Sequence, residues 1–246
     1  MKKIVNTLTL IAAVAVSSSA FAACKDLPNY DALKAALITA RTADSALSPK
    51  GNGGFDLDMW GTIVDRDGVV CAVAFTGANR GDQWPGSRVI SAQKANTANA
   101  FSLPNLALST ANLYTATQPG GTLFGLQMSN PVDTSVAYGG HSGQVGMKRD
   151  PMVGKKIGGI NVFGGGLALY DASKKLLGAV GVSGDSSCAD NNIAWRTRQA
   201  LGLNHVPNGV GPNGTDGIVY TVGNGWAHPV CSEDAKTIAV RIGAGN

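Results

Sequence analysis

The chain has 246 residues, 44% of them apolar, and a formal net charge of +4 from 20 basic and 16 acidic side chains. No block of Lys or Arg stands out, so neither nucleic acid nor an anionic membrane surface is indicated as a partner. The apolar content supports a real core, and the length suits one domain with insertions better than two.

The chain opens on the basic Met1-Lys2-Lys3, an apolar run over 4–16 and the small-residue site Ala20-Phe21-Ala22. This pattern predicts a secretory signal peptide over 1–22, too short for a membrane span, and a soluble periplasmic product. Without Lys2 and Lys3, 18 basic residues face 16 acidic ones, a net charge of only +2. The competing reading is a lipid anchor at Cys24, for which Phe21 is a poor leader residue. No later segment reaches the ~20 apolar residues a membrane helix needs.

Asn29 is placed to cap a helix over 30–47, with Leu33, Leu37, Ala40 and Leu47 near helical spacing and Asp31 in the first turn. A breaker-rich loop follows. Two nearly continuous apolar runs within 59–75 flank Arg66-Asp67-Gly68, which predicts a hairpin whose strands are covered on both faces. Ser87 then caps a helix over 87–101 that carries Ala92, Ala95 and Ala98 on one side. Residues 102–162 are broken by Pro104, Pro119, Pro131 and Pro151 and read as a long loop insertion. Its 138–149 part, with Lys148-Arg149, reads as an exposed excursion. A Gly-rich hairpin is expected over 163–183, where glycines would let a helix, a backbone or a flat ligand come close. Ile193, Thr197, Ala200 and Leu201 predict a helix over 188–201 stopped by Gly202. The tail, 204–246, offers candidate strands at 218–222 and 237–242, the second the better.

The chemistry-bearing motifs are sparse. Gly181-Val182-Ser183-Gly184-Asp185 and Gly140-His141-Ser142-Gly143-Gln144 each fall one glycine short of a nucleophile elbow, and no P-loop is present. The three histidines, His141, His205 and His228, form no close ligand pair, so neither a catalytic residue nor a metal cluster is assigned. Four cysteines in an exported chain argue for two disulfides. Three connectivities are open, and Cys24–Cys71 with Cys188–Cys231 is favoured because each closes a moderate loop.

Several segments together resemble the GlcG/HbpS family, whose domain also closes some PduO-type proteins. They are Val64-Asp65-Arg66-Asp67-Gly68; Ser91 with Lys94-Ala95 and Thr97-Ala98; Gly164-Gly165-Gly166; and 178–184 with Asp190. The resemblance covers roughly 30–203 and matches 102–162 poorly. It implies an α/β fold, profilin-like, with an antiparallel sheet of about five strands carrying helices, and a homo-oligomer. It implies haem binding, or haem-linked accessory work, rather than turnover. Haem iron accepts neutral imidazole, Met or Tyr as axial ligand. His141, in its Gly-rich excursion, is then the first expected ligand and Tyr138 a secondary one, while His205 and His228 stay candidates that read first as serving the tail's local structure. Trp60, Phe75 and Phe101 could wall a haem but read first as core. Relatives in glycolate and diol metabolism suggest an alternative, an enzyme or binding protein for a small organic acid. Arg88 and Lys94 would then pair with its carboxylate, although each taken alone reads as part of a solvated helix face. A structural partner in a larger assembly is the third reading.

Overall fold

The computed structural model describes residues 23–43 and 51–246. The expected signal peptide and the last turn of the 30–47 helix lie outside the described residues. In chain order the elements are α1 (Tyr30–Thr42), β1 (Trp60–Asp65), β2 (Val70–Phe75), α2 (Ser87–Phe101), three one-turn helices α3 (Tyr114–Thr117), α4 (Leu126–Ser129) and α5 (Thr134–Ala137), then β3 (Gly166–Tyr170), β4 (Leu176–Ser183), α6 (Ser187–Ala200) and α7 (Glu233–Arg241).

Among the described residues four strands form one antiparallel sheet in the order β2-β1-β4-β3. The expected count was about five. Residues 218–222 supply no strand, only single bridges from Ile218 to Gly245 and from Val219 to Ala227. Residues 237–242 are corrected from strand to helix, since nearly all of them lie in α7. Ser232 caps it by accepting from the Ala235 amide at 3.1 Å, and Glu233 and Asp234 favour its N-terminal dipole. Ala235, Ile238 and Ala239 then form one buried stripe against the core.

Alternation along the strands sorts the core into two layers. Ile63, Ala72, Ala74, Leu167, Leu169, Val180 and Val182 face α1 and α6, where they meet Leu33, Leu37, Ile193 and Trp195. Trp60, Val64, Val73, Phe75 and Ala179 face α2, where they meet Val89, Ala92, Ala95 and Ala98. Both faces are covered, as the continuous apolar runs predicted. Trp60 and Phe75 are core, with ring centroids 5.2 Å apart.

The small stripe of α2 lies against glycines. A Cβ on Gly181 would collide with the Ser91 carbonyl and the Ala95 amide, and one on Gly166 with the Lys94 carbonyl. The helix takes the close approach that a flat ligand could have used. Gly86, not Ser87, is its cap residue. Asn29 and Gly68 behave as expected: Asn29 accepts from the Ala32 amide at 3.0 Å, and Gly68 turns with φ +75°.

The 102–162 segment is irregular but not an outlying loop. Asp150 is buried and paired with Arg88 through two contacts, and it also accepts from the Gly146 and Met152 amides at 2.6 and 2.9 Å. Gly146 sits under Phe75 and Trp60. The excursion is thereby folded down onto α2 and the edge strand β2, with Lys148 left exposed beside Asp31.

The glycine lane gives a direct test. Gly181→Ala should lower stability by about 1–3 kcal/mol or more, because backbone rather than a flexible side chain opposes the new methyl. Urea denaturation reads this as a lower midpoint at an unchanged slope. An unchanged midpoint would mean that α2 can lift from the sheet at no cost.

Candidate functional site

Both disulfides form as expected, Cys24–Cys71 and Cys188–Cys231, with Cα separations of 5.2 and 5.9 Å. The first engages the Cys24 sulfur, so lipidation there is not open to this state of the protein. The second draws the tail onto the N-terminus of α6, and His228 arrives with it. His228 is buried, not a surface loop residue, and its backbone amide donates to the Val219 carbonyl at 2.8 Å.

A cavity of about 430 Å³ opens beside His228, walled mainly by Tyr114, Tyr220, Val222, Ala227 and Val230. That size lies within the range of small-molecule sites. The Tyr114 ring stands 4.9 Å from the imidazole, centroid to centroid. Thr115 holds α3 to the tail through two contacts with the Ala227 carbonyl. The Tyr220 hydroxyl is buried and finds no hydrogen-bond partner. Burial also pushes its phenol pKa up, so it stays a protonated donor at neutral pH.

The hydrogen bonds of His228 define its tautomer. Nδ1 lies 2.8 Å from the Pro229 carbonyl, which can only accept, so Nδ1 carries the proton. Nε2 therefore keeps its lone pair, met by the Ser187 hydroxyl at 3.2 Å. Burial pushes the pKa down to about 4, against the Pro229 hydrogen bond and with help from the Lys94 charge. The result is a neutral imidazole with one nitrogen anchored and the other keeping its lone pair, the arrangement usual for a metal-ligating histidine.

The other expected residues are not gathered here. His141 is exposed and caps a short 3₁₀ turn, its Nδ1 accepting from the Gly143 amide at 3.1 Å. Tyr138 is 70% exposed, and His205 is exposed after α6. Arg88 and Lys94 are not on a solvated face, as their plain reading had it. Both are buried. Arg88 donates to Asp150 and to the Ala137 carbonyl. Lys94 donates to the Val182 carbonyl at 3.1 Å and to Asp190 at 2.7 Å. Burial pushes the Asp190 carboxyl up to about 6, while Lys94 beside it pulls the other way. The carboxylates these cations meet are internal. Tyr114, Tyr220 and Ser187 were not foreseen, because nothing local marks them; they join the site only when Cys231 meets Cys188.

An α/β sandwich of this topology, with a glycine lane under its central helix, defines a class of small sheet-and-helix domains. The chain belongs to the HbpS-like family, described as haem degrading protein HbpS-like, whose profile matches residues 56–198. Of the three histidines, only His141 falls inside that segment. Among solved structures it is similar to a PduOC:heme complex, at 22% identity and TM-score 0.46, over 73% of this chain and 99% of that one. It is also similar to the Klebsiella pneumoniae protein ORFY, at 20% identity and TM-score 0.44, over 78% and 97%. HbpS itself follows, at 17% and 0.40, over 78% and 99%. No curated protein matches. Among the described residues no helix is long and apolar enough to cross a membrane.

The pKa of His228 carries a pH prediction. The unfolded imidazole titrates near 6.5, the folded one near 4. The folded state resists the proton, so the contribution of this site is full above about 6.5 and falls as pH drops toward about 4. The melting temperature of His228→Gln should therefore decline less steeply than the parent's across that window. Comparing the two cancels Asp190, whose raised pKa acts in the opposite sense. Parallel curves would contradict the assignment.

Proposed function

We propose that the protein binds haem in the cavity beside His228, with Nε2 of His228 as the iron ligand. The observation that carries this is the buried, neutral imidazole on the wall of a mostly apolar cavity, its Nδ1–H already anchored on a carbonyl. Membership of a haem-linked family supports haem as the ligand, while the matched segment, 56–198, ends before His228 and most of the cavity lining. Tyr114 would flank the porphyrin, and the unpartnered Tyr220 hydroxyl would gain an acceptor. The cavity lining holds no charged side chain, so the haem carboxylates would stay toward solvent. Bound haem would supply an iron centre whose reactivity depends on its axial ligand and on the dryness of the pocket. Within that arrangement the chain's own work is to hold the imidazole neutral, orient it through Pro229, and offer apolar walls in Tyr114, Val222 and Val230.

The organic-acid reading loses its donors, since Arg88 and Lys94 are spent on Asp150 and Asp190. Haemin titration tests the haem reading. The parent should show a Soret shift that saturates at one equivalent, and His141→Ala should keep it. His228→Ala, checked for fold by circular dichroism, should lose the shift. If instead His141→Ala loses it and His228→Ala does not, the ligand lies in the excursion and this site is wrong. Breakdown of added haem with a reductant would mark the activity named for the family.

We also infer that the protein works in an oxidising compartment outside the cytoplasm, because it closes two bridges and leaves no free cysteine among the described residues. Alkylation of protein taken from cells without reduction should label none of the four cysteines. Labelling of all four would place it in a reducing compartment.

A further inference from the structure

We propose that the Cys188–Cys231 bridge masks a site for a thiophilic divalent cation of the zinc type, which opens when the bridge is reduced. The ligand atoms of Cys188, Cys231 and His228 all lie within 4.8 Å of one another. Cys188 Sγ is 3.9 Å from His228 Nδ1. With metal–sulfur bonds of about 2.3 Å, two sulfurs of a tetrahedral site stand about 3.8 Å apart, a spacing that the 5.9 Å Cα separation allows. Two thiolates and an imidazole make a three-ligand set that leaves a fourth position open. Ser187 Oγ, 3.4 Å from Cys231 Sγ, lies beside it.

The backbone around these sulfurs supplies the second, independent observation. The Cys188 amide donates to Cys231 Sγ at 3.2 Å, and the Cys231 amide donates to Cys188 Sγ at 3.2 Å. Both sulfurs thus sit where N–H groups favour negative charge, and Cys188 lies in the first turn of the 14-residue α6, whose dipole adds to this. The other bridge is an internal contrast. Cys188 Sγ also meets the Pro229 carbonyl at 3.5 Å, but at the other bridge both sulfurs face oxygen, Cys24 Sγ the Asp65 carboxylate at 3.8 Å and Cys71 Sγ the Val69 carbonyl at 3.4 Å, partners that disfavour a thiolate. Asp65 is also committed to the Asp67 and Val69 amides. Cys231 is exposed, so a reductant can reach the bridge. A dithiol would give two electrons and two protons to the S–S bond, close on itself as a disulfide, and leave Cys188 and Cys231 as thiols. Metal binding would then release the thiol protons to solvent, and coordination by Nδ1 would free it from the Pro229 carbonyl and move the ring proton to Nε2, where Ser187 Oγ can accept it.

The test uses the full chain without haem, so its outcome is independent of the haem assignment. Oxidised protein and protein reduced anaerobically with a dithiol are titrated with Co²⁺ and Zn²⁺, with circular dichroism recording the fold. The reduced form should bind one equivalent of Co²⁺ with a thiolate charge-transfer band, displaced by Zn²⁺, and the oxidised form should show no such band. Zn²⁺ should protect Cys188 and Cys231, but not Cys24 and Cys71, from alkylation. His228→Gln should weaken binding by at least about tenfold, the loss that even outer-shell partners of a metal ligand can produce. Several results would overturn the proposal: no metal response after reduction, protection of Cys24 and Cys71 instead, undiminished binding in His228→Gln, or a reduced protein that unfolds and is not rescued by Zn²⁺.

Discussion

The approach of α2 to the sheet is the constraint on which the rest of the molecule depends. Glycines at 166 and 181 remove the side chains that would hold the helix away, and backbone meets backbone there. Only at that distance does Lys94 reach across to the Val182 carbonyl and to Asp190 at the start of α6. Asp190 in turn accepts from the Asp185 amide at 2.8 Å, which fixes the turn leading out of β4. The first turn of α6 carries Ser187 and Cys188. The position of the His228 site is therefore set, two contacts removed, by side chains that are absent from the strands.

Charge burial reinforces the same geometry. Lys94–Asp190, Arg88–Asp150 and Arg198–Asp216 are each nearly inaccessible to solvent. Such pairs add little net stability over an apolar core, yet losing one partner strands the other charge at a cost of about 3–5 kcal/mol. Their effect is to specify which segment docks where. Arg88 holds the irregular 138–150 stretch against α2, and Arg198 holds the tail against α6 through both Asp216 oxygens, at 2.6 and 2.8 Å. Segments with little regular structure are thus made part of the fold.

The tail then completes the site. Its α7 packs against α6, and the Cys188–Cys231 bridge fastens the intervening 228–231 stretch. Burial of His228 follows from that fastening, and its neutrality follows from the burial. One local arrangement supplies a neutral imidazole beside an apolar cavity and two sulfurs cradled by amides. The haem reading uses the imidazole alone, and the masked cation site uses all three.

Much of the framework was legible in the sequence, because its signals are local. Periodicity marked α1, α2 and α6, continuous apolar runs marked the 59–75 hairpin as doubly covered, and glycines inside the 163–183 strands marked a close approach. The 237–242 stretch misled because β-branched Thr237, Ile238 and Val240 suggest a strand. The spacing of Ala235, Ile238, Ala239 and Ile242, after Ser232-Glu233-Asp234, was the helical signal that decided otherwise. The site was barely legible. His141 stood out by its glycines, whereas His228 looked like part of a loop. Yet the favoured pairing of Cys231 with Cys188 already implied that His228 must lie at the head of α6. Charges posed the same difficulty: a lysine on a helix reads as solvated until its partner, 96 residues away, is known to lie within 2.7 Å. The sequence by itself determined α1, α2, α6 and the two hairpins, since their signals lie in neighbours along the chain, and its even cysteine count behind a leader pattern marked two bridges. Tertiary structure alone decided which histidine is dry and neutral and which cations are spent, because burial and pairing depend on neighbours in space.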